Sequence, residues 1–179
     1  MINAAYVDRV IYPELKADSQ EIYAMITTQN SYHVSDNSPI TVLDDVVITP
    51  VVDAVFDSNL EKENERCVCY RVEYGAASVF VTGDIEAKAE MALLPYMEDC
   101  TLLKVAHHGS DSSSIYPTLK KLSPEIAVIS VGENSYGLPD ESVIERLETI
   151  STEVYNTQTD GTVLFRTDGT FMERIIYDN

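Results

Sequence analysis

Lys104-Val105-Ala106-His107-His108-Gly109-Ser110-Asp111-Ser112-Ser113 holds two of the three histidines in a chain of 179 residues. A strand-like apolar run over 101–106 empties here into adjacent imidazoles, a glycine and a hydroxyl-rich loop. Neighbouring side chains at a strand end point in different directions. One imidazole can therefore bind a metal while the other orients it or meets a substrate. Gly109 lets the backbone approach a ligand closely or take a positive φ. A pair of hydrogen-bonded structural histidines is the bland alternative, and their adjacency in a polar loop argues against it.

Two more strand ends carry chemistry. In Ser78-Val79-Phe80-Val81-Thr82-Gly83-Asp84-Ile85-Glu86 an apolar strand delivers Asp84 to the point where a helix begins. Ligand groups collect at such ends in α/β proteins, and a carboxylate there can bridge two cations. Asp is equally a preferred helix N-cap, so both roles stay open. Gly132-Glu133-Asn134-Ser135-Tyr136-Gly137-Leu138-Pro139-Asp140-Glu141 follows a nearly continuous apolar run at 125–131 and precedes a capped helix. Here Tyr136 could contact substrate and Asn134 could donate a hydrogen bond, or the segment could be a plain connection.

Outward from these segments, strand-like runs alternate with helical patterns, the signature of α/β layering. A strand is expected at 7–12 and a helix after Asp18, with Ile22, Met25 and Ile26 on one face. A loop is expected at 29–39, strands over 40–52 broken at Asp44-Asp45 and Pro50, and a charged loop at 57–66. A hairpin through Gly75-Ala76 joins 67–74 to 77–81, and helices follow at 85–94 and around 116–122. Asp140 caps a helix in which Val143, Ile144, Leu147 and Ile150 share a face. Strands at 154–155, 162–166 and 170–177 turn at Asp160-Gly161 and Asp168-Gly169.

Composition narrows the function classes. Thirty acidic against twelve basic residues leave a net charge of −18. Non-specific nucleic-acid affinity comes mainly from Lys and Arg displacing counterions, so strong binding to nucleic acid by this chain alone is not expected. Three cysteines do not make a disulfide framework, and Cys67 and Cys69 alternate on one side of a strand without a second metal-binding pair nearby. No run is long and apolar enough to span a membrane, and no secretory leader is evident. A cytoplasmic protein of one domain is the expectation.

Taken together, Thr82-Gly83-Asp84, His107-His108-Gly109-Ser110, the 128–132 strand end with Asn134 and Tyr136-Gly137-Leu138-Pro139, and Thr159-Asp160-Gly161-Thr162 occur in a characteristic order. They resemble the back half of the metallo-β-lactamase fold. The likeness is strongest to the hydrolase domain attached to ComEC, the competence DNA-uptake protein, and to its stand-alone relatives. The resemblance runs roughly from Tyr6 to Tyr177 and implies an αββα-type architecture, of which residues 1–179 would form the C-terminal portion, with mixed sheets flanked by helices.

The resemblance also implies roles. Asp84 matches the bridging metal carboxylate and His108 the late metal-ligand histidine, with His107 the second candidate. Ser110 and the hydroxyls after it would line the substrate mouth, and His107, Ser110 and Tyr136 are the candidates for catalysis. The implied activity is hydrolysis of ester bonds, often phosphodiesters in nucleotides or nucleic acids, with Zn2+ or Mn2+.

Two departures stand against it. The upstream H-x-H-x-D-H motif of the family is missing, since the remaining histidine lies in His33-Val34-Ser35-Asp36, and Leu138 replaces the histidine of the usual Tyr-Gly-His-Pro loop. A catalytic zinc wants three protein ligands and an open position, and Asp84 with His108 makes two. The expectation is therefore part of a metal hydrolase, inactive or weak as this chain alone, completed by a missing N-terminal half or a homodimer partner. The alternative is a catalytically silent binding or assembly module.

Overall fold

The computed structural model describes residues 10–12, 31–33, 37–43, 45–52 and 64–176, the first two segments and residue 43 by backbone alone. Seven strands form one sheet in the order β3-β4-β5-β6-β7-β8-β9: Ile40–Leu43, Val46–Val51, Cys69–Tyr74, Ala77–Val81, Leu102–Lys104, Ile126–Ile129 and Glu153–Asn156. From β3 to β6 neighbours run antiparallel, and from β6 to β9 they run parallel. Parallel neighbours need a crossover, and here each crossover carries a helix. These are α1 (Ala87–Leu93), α2 (Tyr116–Leu122) and α3 (Glu141–Thr149).

Register shows which face of the sheet the helices cover. Phe80 pairs with Leu103 and Leu103 with Ala127, and all three are buried, as is Ile129 two residues along β8. The opposite-pointing row, Val81, Lys104 and Val128, is only partly buried. On α3 the expected face is present: Val143 and Leu147 are buried, Ile144 and Ile150 pack on the same core, and Asp140 accepts the Ser142 N–H at 2.9 Å as the N-cap.

Outside this sheet, β1 (Val10–Tyr12) and β2 (Ser31–His33) pair in parallel, and β10 (Leu164–Thr167) and β11 (Met172–Ile175) form a hairpin. The hairpin is tied to the β5–β6 turn by a 2.6 Å bond from the Ala76 N–H to the Gly169 carbonyl. Gly75 is required at that contact: a Cβ there would sit 2.3 Å from the Gly169 oxygen.

Three expectations are corrected. Pro50 does not break a strand but lies inside β4, opposite Tyr70. The register with β3 ends at Ile48, so Pro50 lies past the end of that pairing, where an edge position tolerates proline. Part of the polar 29–39 stretch is strand rather than loop, because Ser31–His33 pairs with Val10–Tyr12. The Asp160-Gly161 turn is instead the end of a helical turn, α4 (Thr157–Asp160), capped by the Asn156 side chain and closed by Gly161 at φ 68°. The helix expected after Asp18 and most of the charged loop at 57–66 lie outside the described residues.

Candidate active site

The site stands at the C-terminal ends of the parallel strands, where an α/β sheet presents loops. β6 supplies Asp84, β7 supplies the histidine pair and β8 leads into the loop bearing Tyr136. A cavity of about 480 Å³ opens there. Asp84, His107, His108, Ser110 and Asp111 form one side, and Tyr136, Gly137, Leu138 and Asp140 the other.

Asp84 does not cap the helix that follows it. α1 begins at Ala87 with Glu86 in the N-cap position, the Glu86 side chain makes no cap bond, and the Ala87 N–H donates to the Ser112 carbonyl at 2.9 Å. That leaves the Asp84 carboxylate to face its neighbours: Oδ1 lies 3.7 Å from His108 Nε2 and 3.8 Å from Lys104 Nζ. Lys104 also donates to the Gly83 carbonyl at 3.1 Å, and burial, the largest influence on it, pushes its pKa below the usual 10.5. Sequence reasoning passed over Lys104. The signal was available, since Val81 and Lys104 are register partners on adjacent strands and Asp84 follows Val81 by three residues.

The two histidines are held by different partners. His108 Nδ1 sits 2.5 Å from the Ser130 carbonyl oxygen. A carbonyl can only accept, so Nδ1 carries the proton and Nε2 of the neutral ring keeps its lone pair, turned toward Asp84. His107 meets other groups. The Asn64 amide approaches its Nε2 at 3.4 Å, and its buried Nδ1 lies 4.0 Å from Glu86 Oε1 without a hydrogen bond. The structure thus pairs His108 with Asp84 and turns the nitrogens of His107 toward a different set of groups.

Both histidines have left-handed backbones, φ 48° and 54°, and Gly109 continues at φ 82°. Left-handed conformations cost a non-glycine residue about 1–3 kcal/mol and persist where surrounding contacts over-determine them. Here those contacts are visible. The His107 N–H donates to the Gly83 carbonyl at 3.1 Å, and the Gly109 carbonyl accepts from Asp140 N at 2.8 Å. A Cβ on Gly109 would sit 2.6 Å from Pro139 Cβ, so the histidine turn and the Tyr136 loop meet without a gap.

Ser110 shares a 3.0 Å hydroxyl contact with Ser112 at the cavity wall. Behind them Ser113 donates to the Ala106 and Ser110 carbonyls and is fully buried, so it acts as internal bracing. The Glu90 carboxylate, buried on α1, accepts from the Ser114 and Ile115 amides, and Arg146 of α3 reaches the Ser113 carbonyl. Glu90, Arg146 and Ser130 are all bracing that residue type and spacing do not announce.

Solved structures share this architecture. The metallo-β-lactamase fold protein YhfI of Bacillus subtilis superposes with a TM-score of 0.50 at 13% identity, covering 85% of this chain and 62% of that one. A Parabacteroides distasonis protein described as a candidate metal-dependent hydrolase also gives 0.50 at 11% identity, covering 87% and 78%. The chain has the metallo-β-lactamase fold.

Sequence relatives point the same way. This metallo-β-lactamase fold chain is 36% identical to Recombination protein 2 of Haemophilus influenzae over 102 residues. It is 33% identical to ComE operon protein 3 of Bacillus subtilis over 108 residues, and 34% identical to Competence protein ComA of Neisseria gonorrhoeae over 111. Those matches cover 56%, 59% and 60% of this chain but only 13%, 14% and 16% of the relatives. No protein-family model matches the sequence. Among the described residues, no helix is long and apolar enough to cross a membrane.

Asp84 and His108 suit a divalent cation as far as they go. One offers a carboxylate and the other a fixed Nε2 lone pair, backed by the carbonyl that a ligating histidine usually has on its far nitrogen. Among the described residues, no group of three histidine, cysteine or acidic side chains converges. His33 is described by backbone alone, and Val34, Ser35 and Asp36 lie outside the described residues.

Proposed function

We propose that Asp84 and His108 are two ligands of a divalent cation, zinc or manganese, in a hydrolase site for phosphodiesters. Further donors would come from residues beyond those described or from a second chain. The observation that carries this reading is the His108 ring itself, proton on Nδ1 toward Ser130 and lone pair on Nε2 toward Asp84. Ser130 thus fixes the ring with its other nitrogen, the one a metal would take, facing the Asp84 carboxylate 3.7 Å away.

When bound, the cation would supply Lewis-acid activation of water and of the phosphoryl oxygen. The chain's own groups prepare for that. Asp84 contributes negative charge, and Lys104 holds the strand end that carries it by bonding the Gly83 carbonyl. The Ser110 and Ser112 hydroxyls offer hydrogen bonds at the wall. The likeness to competence and recombination proteins directs the choice of nucleotide diesters over other esters. With two donors, this chain by itself should bind metal weakly and turn over slowly.

The test is a calorimetric titration with Zn2+ and with Mn2+, alongside hydrolysis of bis(p-nitrophenyl) phosphate. Asp84→Asn and His108→Ala should each weaken metal binding by at least about tenfold. Binding that both variants leave intact would remove these residues from the site.

A second reading, a silent binding or assembly module, is favoured by one observation: Leu138 lines the cavity in the loop where the resemblance leads one to expect an imidazole. Tight metal binding together with diester turnover by this chain would dismiss it.

A further inference from the structure

We infer that Tyr136 is a stacking platform for a planar base beside the scissile phosphate, which makes the site selective for nucleotide diesters over simple ones. The inference rests on the phosphodiester reading and adds to it what the cavity would recognise.

The argument begins with charge. The described lining includes Asp84, Asp111 and Asp140 and neither lysine nor arginine. The ammonium of Lys104, beside Asp84, is turned to that carboxylate and the Gly83 carbonyl. An anionic diester therefore meets three carboxylates here and no lysine or arginine, with the Ser110 hydroxyl to bond it. Further affinity has to come from an uncharged part of the substrate.

Tyr136 is the group built for that. Its side chain is 84% exposed, the most exposed large apolar residue among those described. The backbone that carries it is nevertheless tightly held. Asn134 Nδ2 donates to the Gly132 and Leu138 carbonyls at 2.8 Å each, and Asn134 Oδ1 accepts from the Tyr136 and Leu138 amides at 3.0 and 3.1 Å. One amide side chain thus uses both ends to shape the loop, and the Asp140–Gly109 bond anchors it to the histidine turn. A pinned loop that leaves an aromatic ring in water, at the rim of a polar cavity, has met the ordering cost of binding in advance. Aromatic rings in this position stack on bases of any sequence, an interaction that needs no basic side chain.

The test is a calorimetric comparison of two probes, thymidylyl-(3′→5′)-thymidine and diethyl phosphate, on the full chain at one fixed concentration of Zn2+. Wild type should favour the dinucleotide by about tenfold to a hundredfold. Tyr136→Ala should erase that preference while the melting temperature stays unchanged, and Tyr136→Phe should keep it, since stacking needs the ring and not the hydroxyl. Equal affinities for the two probes in wild type, or no binding of either, would overturn the proposal. So would a Tyr136→Phe variant that behaves as Tyr136→Ala does. The metal reading fails separately: a base preference that depends on Tyr136 but survives without any zinc binding keeps the platform and discards the cation.

Discussion

Glu90 Oε2 accepts the Ile115 N–H at 2.9 Å, and the same carboxylate also takes the Ser114 N–H. A residue of α1, six positions beyond Asp84, is therefore fastened to the far end of the loop that begins at His107. The helix after Asp84 and the loop after the histidines are joined through one buried side chain.

This bond makes stability depend on pH in a particular sense. Burial, the largest influence, raises the Glu90 carboxyl above its ordinary 4.5, against the lowering effect of the Ile115 and Ser114 amides and of Arg146. The folded chain then holds the proton more tightly than the unfolded one. The group's contribution is full below about 4.5 and is lost as pH rises through its folded value. Glu90→Gln places an amide N–H against a backbone N–H and should cost about 1–3 kcal/mol. Urea melts from pH 4 to 7 should show the wild-type margin over the variant widening toward acid, and a constant margin would contradict it.

The different partners of the two histidines give a spectroscopic test. Nitrogen-15 NMR of the neutral rings should show the proton on Nδ1 in both, in His108 because the Ser130 carbonyl accepts it and in His107 because the Asn64 amide needs the Nε2 lone pair. Added Zn2+ should shift His108 Nε2 and leave His107 nearly unchanged. A shift confined to His107 would reverse the assignment of the ligand.

Gly109→Ala attacks the junction of the two loops. The new methyl group meets Pro139 Cβ at 2.6 Å while the backbone stays at φ 82°. Left-handed strain alone predicts a loss of about 1–3 kcal/mol, and overpacking adds to it. Thermal melts should report the loss, and the substitution should also weaken metal binding. An unchanged melting temperature would mean that the loops do not meet as described.

Thiol chemistry checks the core. Burial pushes the Cys100 thiol up to about 12 and Cys69 higher still. At pH 8 only about one ten-thousandth of Cys100 would be thiolate, the reactive form. Neither residue should take up iodoacetamide in the native chain, and both should do so in urea. Mass spectrometry of labelled peptides decides the matter.

Much of this structure is legible in the residues, for reasons of period and punctuation. The Gly75 hairpin, the Asp140 cap and the Val143–Leu147 face follow from local rules, and their positions agree within a residue or two. So does the gathering of Asp84, His108 and Tyr136 at one end of the sheet, because parallel strands deliver their C-termini to one side. What escaped depends on partners distant in sequence. Pro50 lies past the end of the pairing with β3, and Glu90 is buried because two amides 24 and 25 residues away await it. The role of Ser130 is that of a carbonyl, which every residue possesses and none advertises.

Asp84, His108 and Tyr136 hang from three different strands, and the sheet beneath them is packed by other residues entirely. Chemistry and architecture are thus encoded at separate addresses. A single codon change at a cavity-wall position such as Leu138 therefore alters what the opening presents while leaving the buried residues that hold the sheet as they are.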